Sequence, residues 1–321
     1  MPRDEMHSVA VLGLGTMGHG IAQTFAAAGY AVRCYDEQPE ARASLHERVR
    51  ANLLAFVEAG LVTPERIEPI LSRLAICGSE EETLAGVGFV TEVVNEDLVL
   101  KQELFARLEA LVAADTILAS NSSTFPISQS GARMQRPERA LVTHWFNPPH
   151  LVPLVEVVPG PDTLEETTRT TMALMQRIGK QPLRLRKELP GFLVNRIQVA
   201  IQREVWDLLE QGVASAEEID SALRGSVGFR MAAVGPLEVH DFGGLDIQTT
   251  VYRNLVPHIR SDAEVPALVQ KLVEQGCLGA KTGRGFYEYS SEQLVERRAR
   301  RDALFLSLVK LLYPVSNGGP R

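Results

Sequence analysis

Cysteine is scarce in this chain, and the residues present do not pair: Cys34, Cys77 and Cys277 are odd in number, far apart and without a CxxC spacing. That pattern excludes a disulfide framework and a zinc knuckle, so reduced thiols in a cytosolic setting and no bound metal are expected. Long apolar runs are missing too. No stretch approaches the ~20 residues that crossing a bilayer requires. The start, Met1-Pro-Arg-Asp-Glu-Met-His7, mixes both charge signs where a signal peptide would be basic and then apolar. Nor is there an excess of base. A formal net charge of -7 argues against a sequence-independent grip on nucleic acid, which needs a cationic face to displace counterions. No internal repeat is visible.

What is present is ordinary in bulk and specific in detail. At 321 residues, with 45% hydrophobic and 23% charged side chains, the chain is long and apolar enough for two domains and a substantial core. Ser8–Leu12 is a short β-prone run. Gly13-Leu14-Gly15-Thr16-Met17-Gly18 follows, and then a helical pattern that Gly29 stops. A strand, a glycine turn and a helix in that order suit a dinucleotide. Gly13 makes the tight turn, Gly15 lets the backbone approach a pyrophosphate, Gly18 lets helix and strand pack, and the helix N-terminus faces the phosphates. A second strand, Ala31–Tyr35, ends in Asp36, eighteen residues after Gly18, where a carboxylate can accept bonds from an adenosine ribose. Its charge would repel a 2′-phosphate, which favours NAD over NADP. A helix cap before Pro39 is the plain alternative for Asp36.

Further on, Pro39–Gly60 and Thr63–Leu74 read as helices, with a third from Leu98 to Val112. Ala75–Cys77, Gly88–Val94, Thr116–Ala119 and Ala140–Thr143 read as strands. This alternation predicts a parallel, doubly wound sheet. A helix from Leu164 to Ile178 and an edge strand at Pro182–Leu185 close the half. After Lys187 only helical patterns remain: Phe192–Gly212, Ser215–Leu223, Leu237–Val256, Val265–Gln275 and Glu292–Leu312. The fold class expected is therefore α/β: a Rossmann NAD-binding domain over residues 1–187 and an all-α domain over 188–321 that binds substrate and pairs two subunits. The tail from Ser316 is expected to be disordered.

One stretch carries acid–base chemistry. His144-Trp-Phe-Asn147-Pro-Pro-His-Leu-Val-Pro-Leu-Val-Glu156 puts an imidazole and a carboxylate on two segments that a proline-rich break turns back on each other. An imidazole near neutrality can take a proton, and a facing carboxylate would fix its tautomer and stabilise its cation. Asn121-Ser122-Ser123-Thr124 ends a strand on the side where open sheets bind ligands, although a turn cap would explain it as well. A solvated ion pair would account for Glu96 and Lys101.

Together these motifs resemble the NAD-dependent L-3-hydroxyacyl-CoA dehydrogenase family from about Val9 to Tyr289. They are joined by Leu154-Val-Glu156-Val-Val, Pro190-Gly-Phe-Leu-Val-Asn195-Arg and Lys281-Thr-Gly-Arg-Gly-Phe-Tyr287. The resemblance implies His144 as general base held by Glu156, with Ser123 and Asn195 as catalytic substrate contacts and Asn147 beside them. It implies Glu96, Lys101, Asn121 and Lys281 as cofactor contacts beyond the glycine turn. The activity it implies is NAD-dependent oxidation of the 3-hydroxyl of a short-chain 3-hydroxyacyl-CoA. Two departures open an alternative. The long helix ends Val57-Glu58-Ala59-Gly60, without the lysines that CoA-using members tend to carry there, and Gly228-Phe-Arg230-Met replaces their proline-containing stretch. These features look more like the gulonate dehydrogenase (lambda-crystallin), carnitine dehydrogenase and pyridine-carboxylate dehydrogenase relatives. In such an enzyme Arg230 would fork onto the carboxylate of a CoA-free hydroxy acid; a helix-end role is the plain reading of Arg230. A non-catalytic, crystallin-like structural protein is a further alternative. A cytoplasmic homodimeric enzyme acting on a small molecule, with no nucleic-acid or membrane partner, is the expectation.

Overall fold

The computed structural model describes residues 6–313, so the expected disorder from Ser316 and the extreme N-terminus lie outside the described residues. The chain divides by its contacts into two units: one runs to Asn195 and takes up the chain again from Ala299, and the other is Arg196–Arg298. The sequence reading placed the boundary at Lys187, a few residues earlier, and assigned the final stretch to the helical domain.

The first unit is built on an eight-stranded sheet: β1 (Ser8–Leu12), β2 (Ala31–Tyr35), β3 (Leu74–Ile76), β4 (Phe89–Glu92), β5 (Ile117–Ser120), β6 (Ala140–Trp145), β7 (Leu154–Pro159) and β8 (Gln181–Arg184). Their spatial order is β3-β2-β1-β4-β5-β6-β7-β8. Pairing is parallel throughout the ladder except between β6 and β7. Chain order reverses between β1 and β4, the crevice where open parallel sheets take ligands. Side chains alternate across the sheet. Val9 and Val11 of β1 join a buried layer with Phe25, Leu53 and Trp145 on one face, and Ala10 and Leu12 join Phe105, Val142 and Phe192 on the other.

The helices of this unit are α1 (Gly18–Ala27), α2 (Pro39–Ala43), α3 (Leu45–Glu58), α4 (Ile67–Leu71), α5 (Glu80–Leu84), α6 (Leu98–Leu111), α7 (Ile127–Ser130) and α8 (Glu165–Arg177). The single helix expected over Pro39–Gly60 is broken at Ser44, whose hydroxyl bonds back to the Glu40 carbonyl at 2.7 Å. The break has a packing reason as well: α2 buries nothing, whereas α3 buries Leu45, Val49 and Leu53. Thr63–Leu74 similarly resolves into a 3₁₀ turn, the short α4 and the start of β3. The short helices α5 and α7 were not anticipated.

In the second unit the helices are α9 (Val194–Glu210, starting just before the division), α10 (Ala216–Leu223), α11 (Phe229–Ala233), α12 (Pro236–Gly243), α13 (Leu245–Leu255) and α14 (Ala267–Glu274). The last helix, α15 (Ser291–Leu312), begins here and ends among residues of the first unit. Ser215 and Glu218 form a reciprocal capping box at the start of α10. The expected Leu237–Val256 helix is two helices, interrupted at Gly244, whose φ of +84° no helix accommodates. Apart from Pro266, no residue from Arg196 to Arg298 is buried. No helix among the described residues is long and apolar enough to cross a membrane.

Candidate active site

The glycine turn after β1 has the geometry its sequence demands. Gly13 has φ +96°, and a Cβ on it would meet the Val93 carbonyl oxygen at 2.4 Å. A Cβ on Gly18 would meet the Gly13 carbonyl oxygen at 1.7 Å, so a side chain there would drive α1 off the turn. Gly15 differs: nothing of the protein lies within 4 Å of where its Cβ would be. Between Gly15 and the start of α1, Thr16 is exposed and Met17 half-buried. Asp36 closes the ring of contacts. Its Oδ2 accepts the Leu14 amide at 2.6 Å and its Oδ1 the Gln38 amide at 2.8 Å. The carboxylate therefore serves the glycine turn as well as the turn before Pro39. A cavity of about 290 Å³ runs past Gly13, Gly15, Tyr35 and Asp36 to Val94 and Arg107. Open space over Gly15, a helix N-terminus and a tethered acidic residue fit a dinucleotide.

His144 and Glu156 are direct partners in the antiparallel register of β6 and β7. Their contact, Nδ1 to Oε2, is 2.7 Å long, with His144 4% and Glu156 0% exposed. A carboxylate can only accept, so Nδ1 carries the hydrogen and Nε2 keeps the free lone pair of a base. The second carboxylate oxygen of Glu156 accepts the amides of Leu193 (3.2 Å) and Val194 (2.9 Å) at the start of α9. Glu156 is thereby held from both sides. Phe146 and Phe192 flank the imidazole, at 4.5 and 5.4 Å between ring centres. Phe192 is buried although its φ is +53°. Such a backbone costs of order 1–3 kcal/mol in a bulky residue, and burial of the ring offsets it.

The remaining residues expected from the sequence divide by location. Asn121 turns its side chain inward, accepting the Trp145 amide at 3.0 Å. Asn195 Nδ2 donates to the Ser123 carbonyl at 3.0 Å, so these two lie together. Asn147 is exposed. Lys101 is not part of a solvated pair: it is 1% exposed and bonds Glu92 at 2.7 Å and Glu96 at 3.3 Å. Burial pushes the Glu96 carboxyl up, but hydrogen bonds from Ser122 and Thr124 and the Lys101 ammonium outweigh it and hold the group at about 2. In the second unit, Lys281 lies in an exposed 3₁₀ turn. Arg230, exposed on α11, donates to the Ser226 carbonyl at 3.4 Å.

Three features escaped the sequence reading. Glu92 is a fully buried carboxylate. Lys180 donates to the carbonyls of Pro149 and Val152 at 2.5 and 2.7 Å and sits 5.2 Å over the Trp145 ring, fastening the loop after β6. His150 presses on Gly20, where a Cβ would meet its Nδ1 at 2.7 Å. A histidine six residues after His144 was the one available signal for the last of these, and it carried no information about burial.

A family model for the NAD-binding domain of 3-hydroxyacyl-CoA dehydrogenase matches residues 8–189, and the model for the C-terminal domain of the same enzymes matches 191–289. The 5-formyl-3-hydroxy-2-methylpyridine 4-carboxylate 5-dehydrogenase of Mesorhizobium japonicum is 32% identical over 96% of this chain and 98% of its own. A probable 3-hydroxybutyryl-CoA dehydrogenase of Bacillus subtilis is 36% identical over 90% and 99%. The human lambda-crystallin homolog is 33% identical over 94% and 95%. Among solved structures, a dehydrogenase of the same pyridine compound, described as an NAD+-dependent dismutase, superposes with a TM-score of 0.90 at 30% identity, covering 97% of this chain and all of its own. The (S)-3-hydroxybutyryl-CoA dehydrogenase of Ralstonia eutropha reaches 0.72 at 32%, covering 89% and 100%.

Proposed function

Because the chain belongs to the 3-hydroxyacyl-CoA dehydrogenase family, and so is an NAD-dependent oxidoreductase acting on CH–OH, we propose that its substrate is a small CoA-free carboxylate bearing the reacting carbon. NAD accepts the hydride in this chemistry. The chain supplies the proton handling. His144 Nε2 takes the hydroxyl proton, and Glu156 stabilises the imidazolium through the buried 2.7 Å contact. Ser123 and Asn195 orient the substrate oxygen, with Asn147 at the rim. A hydrated aldehyde also carries C–H and O–H on one carbon, so the same base serves an alcohol or an aldehyde. Asp36 and the glycine turn hold the adenosine and pyrophosphate, with Asn121 and Lys281 as further cofactor contacts.

The observation that carries the substrate assignment is α15. The family model for the C-terminal domain stops at residue 289, and α15 lies beyond it. The pyridine carboxylate dehydrogenase matches this chain over 96%, against 90% for the hydroxybutyryl-CoA relative. Arg230 is the proposed carboxylate anchor. A short-chain 3-hydroxyacyl-CoA is the second reading, favoured by the higher identity of the CoA relative, 36% against 32%. The deciding experiment is a screen for NADH production on 3-hydroxybutyryl-CoA, L-gulonate, carnitine, 3-hydroxybutyrate and pyridine carboxylates. A free acid is expected to exceed the thioester in kcat/KM by about a hundredfold, and Arg230→Ala to raise its KM at least about tenfold. Preference for the thioester would establish the second reading. NADH binding without turnover on any compound would point to a crystallin-like role.

We also propose a homodimer formed through the helical unit. Phe229, Leu237 and Phe242 are 74%, 79% and 75% exposed, on helices with no core of their own. Light scattering is expected to give twice the chain mass of 35.3 kDa; a monomer at micromolar concentration would overturn this.

A further inference from the structure

Apart from the His144–Glu156 pair, a dense polar cluster lies at the carboxyl ends of β4 and β5. Glu92, the last residue of β4, accepts Lys101 Nζ at 2.7 Å and the Val94 amide at 2.8 Å on one oxygen, and the Ser120 hydroxyl at 2.6 Å on the other. Lys101 bridges from there to Glu96. Glu96 Oε1 is in turn the meeting point of the loop after β5. It accepts the Ser122 and Thr124 hydroxyls at 2.6 and 2.7 Å, the Ser123 and Thr124 amides at 2.9 and 3.0 Å, and the Ser123 hydroxyl at 3.3 Å. The order of these lengths matters. The two flanking hydroxyls make short, charge-assisted bonds, whereas the central one is the loosest and the easiest to turn away. A buried lysine between two carboxylates holds such an arrangement firmly, since removing either partner strands a charge.

We propose that Glu96, backed by the buried Glu92–Lys101 pair, is a positioning residue: it clamps Ser122 and Thr124 so that the Ser123 hydroxyl, the most loosely held of the three, can turn to the substrate oxygen. Glu96 and Lys101 then act through the serine loop, a role beside the cofactor contacts implied by the resemblance. The inference rests on Ser123 touching substrate, as proposed above.

A double-mutant cycle tests it, with turnover and NADH fluorescence titration measured on Ser123→Ala, Glu96→Gln and the double variant. Each single change is expected to lower kcat/KM by about 30- to 100-fold, since a misplaced donor forfeits most of its contribution. The double variant should fall within about threefold of the poorer single, and NADH affinity within about threefold of wild type. Thr124→Val, an exposed and milder change, should lower kcat about fivefold only while Ser123 is present. Independent, multiplying losses would overturn the proposal, as would a drop in NADH affinity equal to the drop in turnover. If Ser123→Ala alone leaves turnover intact, the serine assignment itself fails and the clamp with it; that single variant separates the two failures.

Discussion

The two units of this chain hold their residues in opposite ways. In the first, both faces of the sheet are sealed: Val9, Val11 and Phe25 are fully buried on one side, Ala10, Val90 and Phe105 on the other. In Arg196–Arg298, amphipathic helices are well formed, one of them opened by a reciprocal capping box, yet their apolar stripes remain uncovered. Helix formation and helix burial are thus separate outcomes of the same 3.6-residue pattern. A unit with its own core can hold a proton-transferring pair to fractions of an ångström. One without a core depends for rigidity on whatever covers it.

The strongest attempt to break that comparison is to remove the chemistry from the sealed unit alone. His144→Gln is expected to lower kcat by about a thousandfold or more while NADH affinity stays near wild type, as single-turnover assays and titration will measure. Normal turnover would mean that the buried pair is structural. Next in size is a pair of truncations that sharpens the contrast. Phe25→Ala, in the dense layer where Phe25 meets Tyr30 edge-on at 6.0 Å, should cost about 3–5 kcal/mol in denaturant unfolding at any protein concentration. Leu237→Ala should cost less, and its effect should grow on dilution, because its cover is expected from a second copy.

The smallest effect concerns acid. His150 is pushed down to about 3 by burial, with His19, Lys180 and Arg301 adding to the shift. It is neutral in the folded chain, while the unfolded chain takes up its proton near pH ~6.5. Its contribution to stability is therefore complete above that pH and is lost as pH falls toward 3. The Tm of His150→Phe should decline less steeply than that of wild type between pH 6.5 and 4; equal slopes would assign the acid sensitivity elsewhere.

What could be seen in the sequence was what is local. Gly13, Gly18 and Asp36 reveal themselves because turn geometry and the next strand end lie within one supersecondary unit. His144 and Glu156 are twelve residues apart on adjoining strands, so their pairing needed only one turn to be guessed. The Glu96 clamp spans 26 to 28 residues between two strand ends and depends on a buried lysine that composition makes look like a surface group. The breaks at Ser44 and Gly244 were hidden because hydrophobic periodicity passes through them almost in phase. What covers the stripes of α9–α14 was invisible for a different reason: a stripe names its face, not its partner.

Glu156 divides its two oxygens between a base and the first amides of α9. When His144 becomes a cation, Oε2 is drawn more strongly to the ring and less negative charge is left for the amides on Oε1. The Leu193 and Val194 N–H groups are consequently built-in reporters of the ionisation of His144. Their proton chemical shifts should therefore differ between wild type and His144→Gln although neither amide touches the ring.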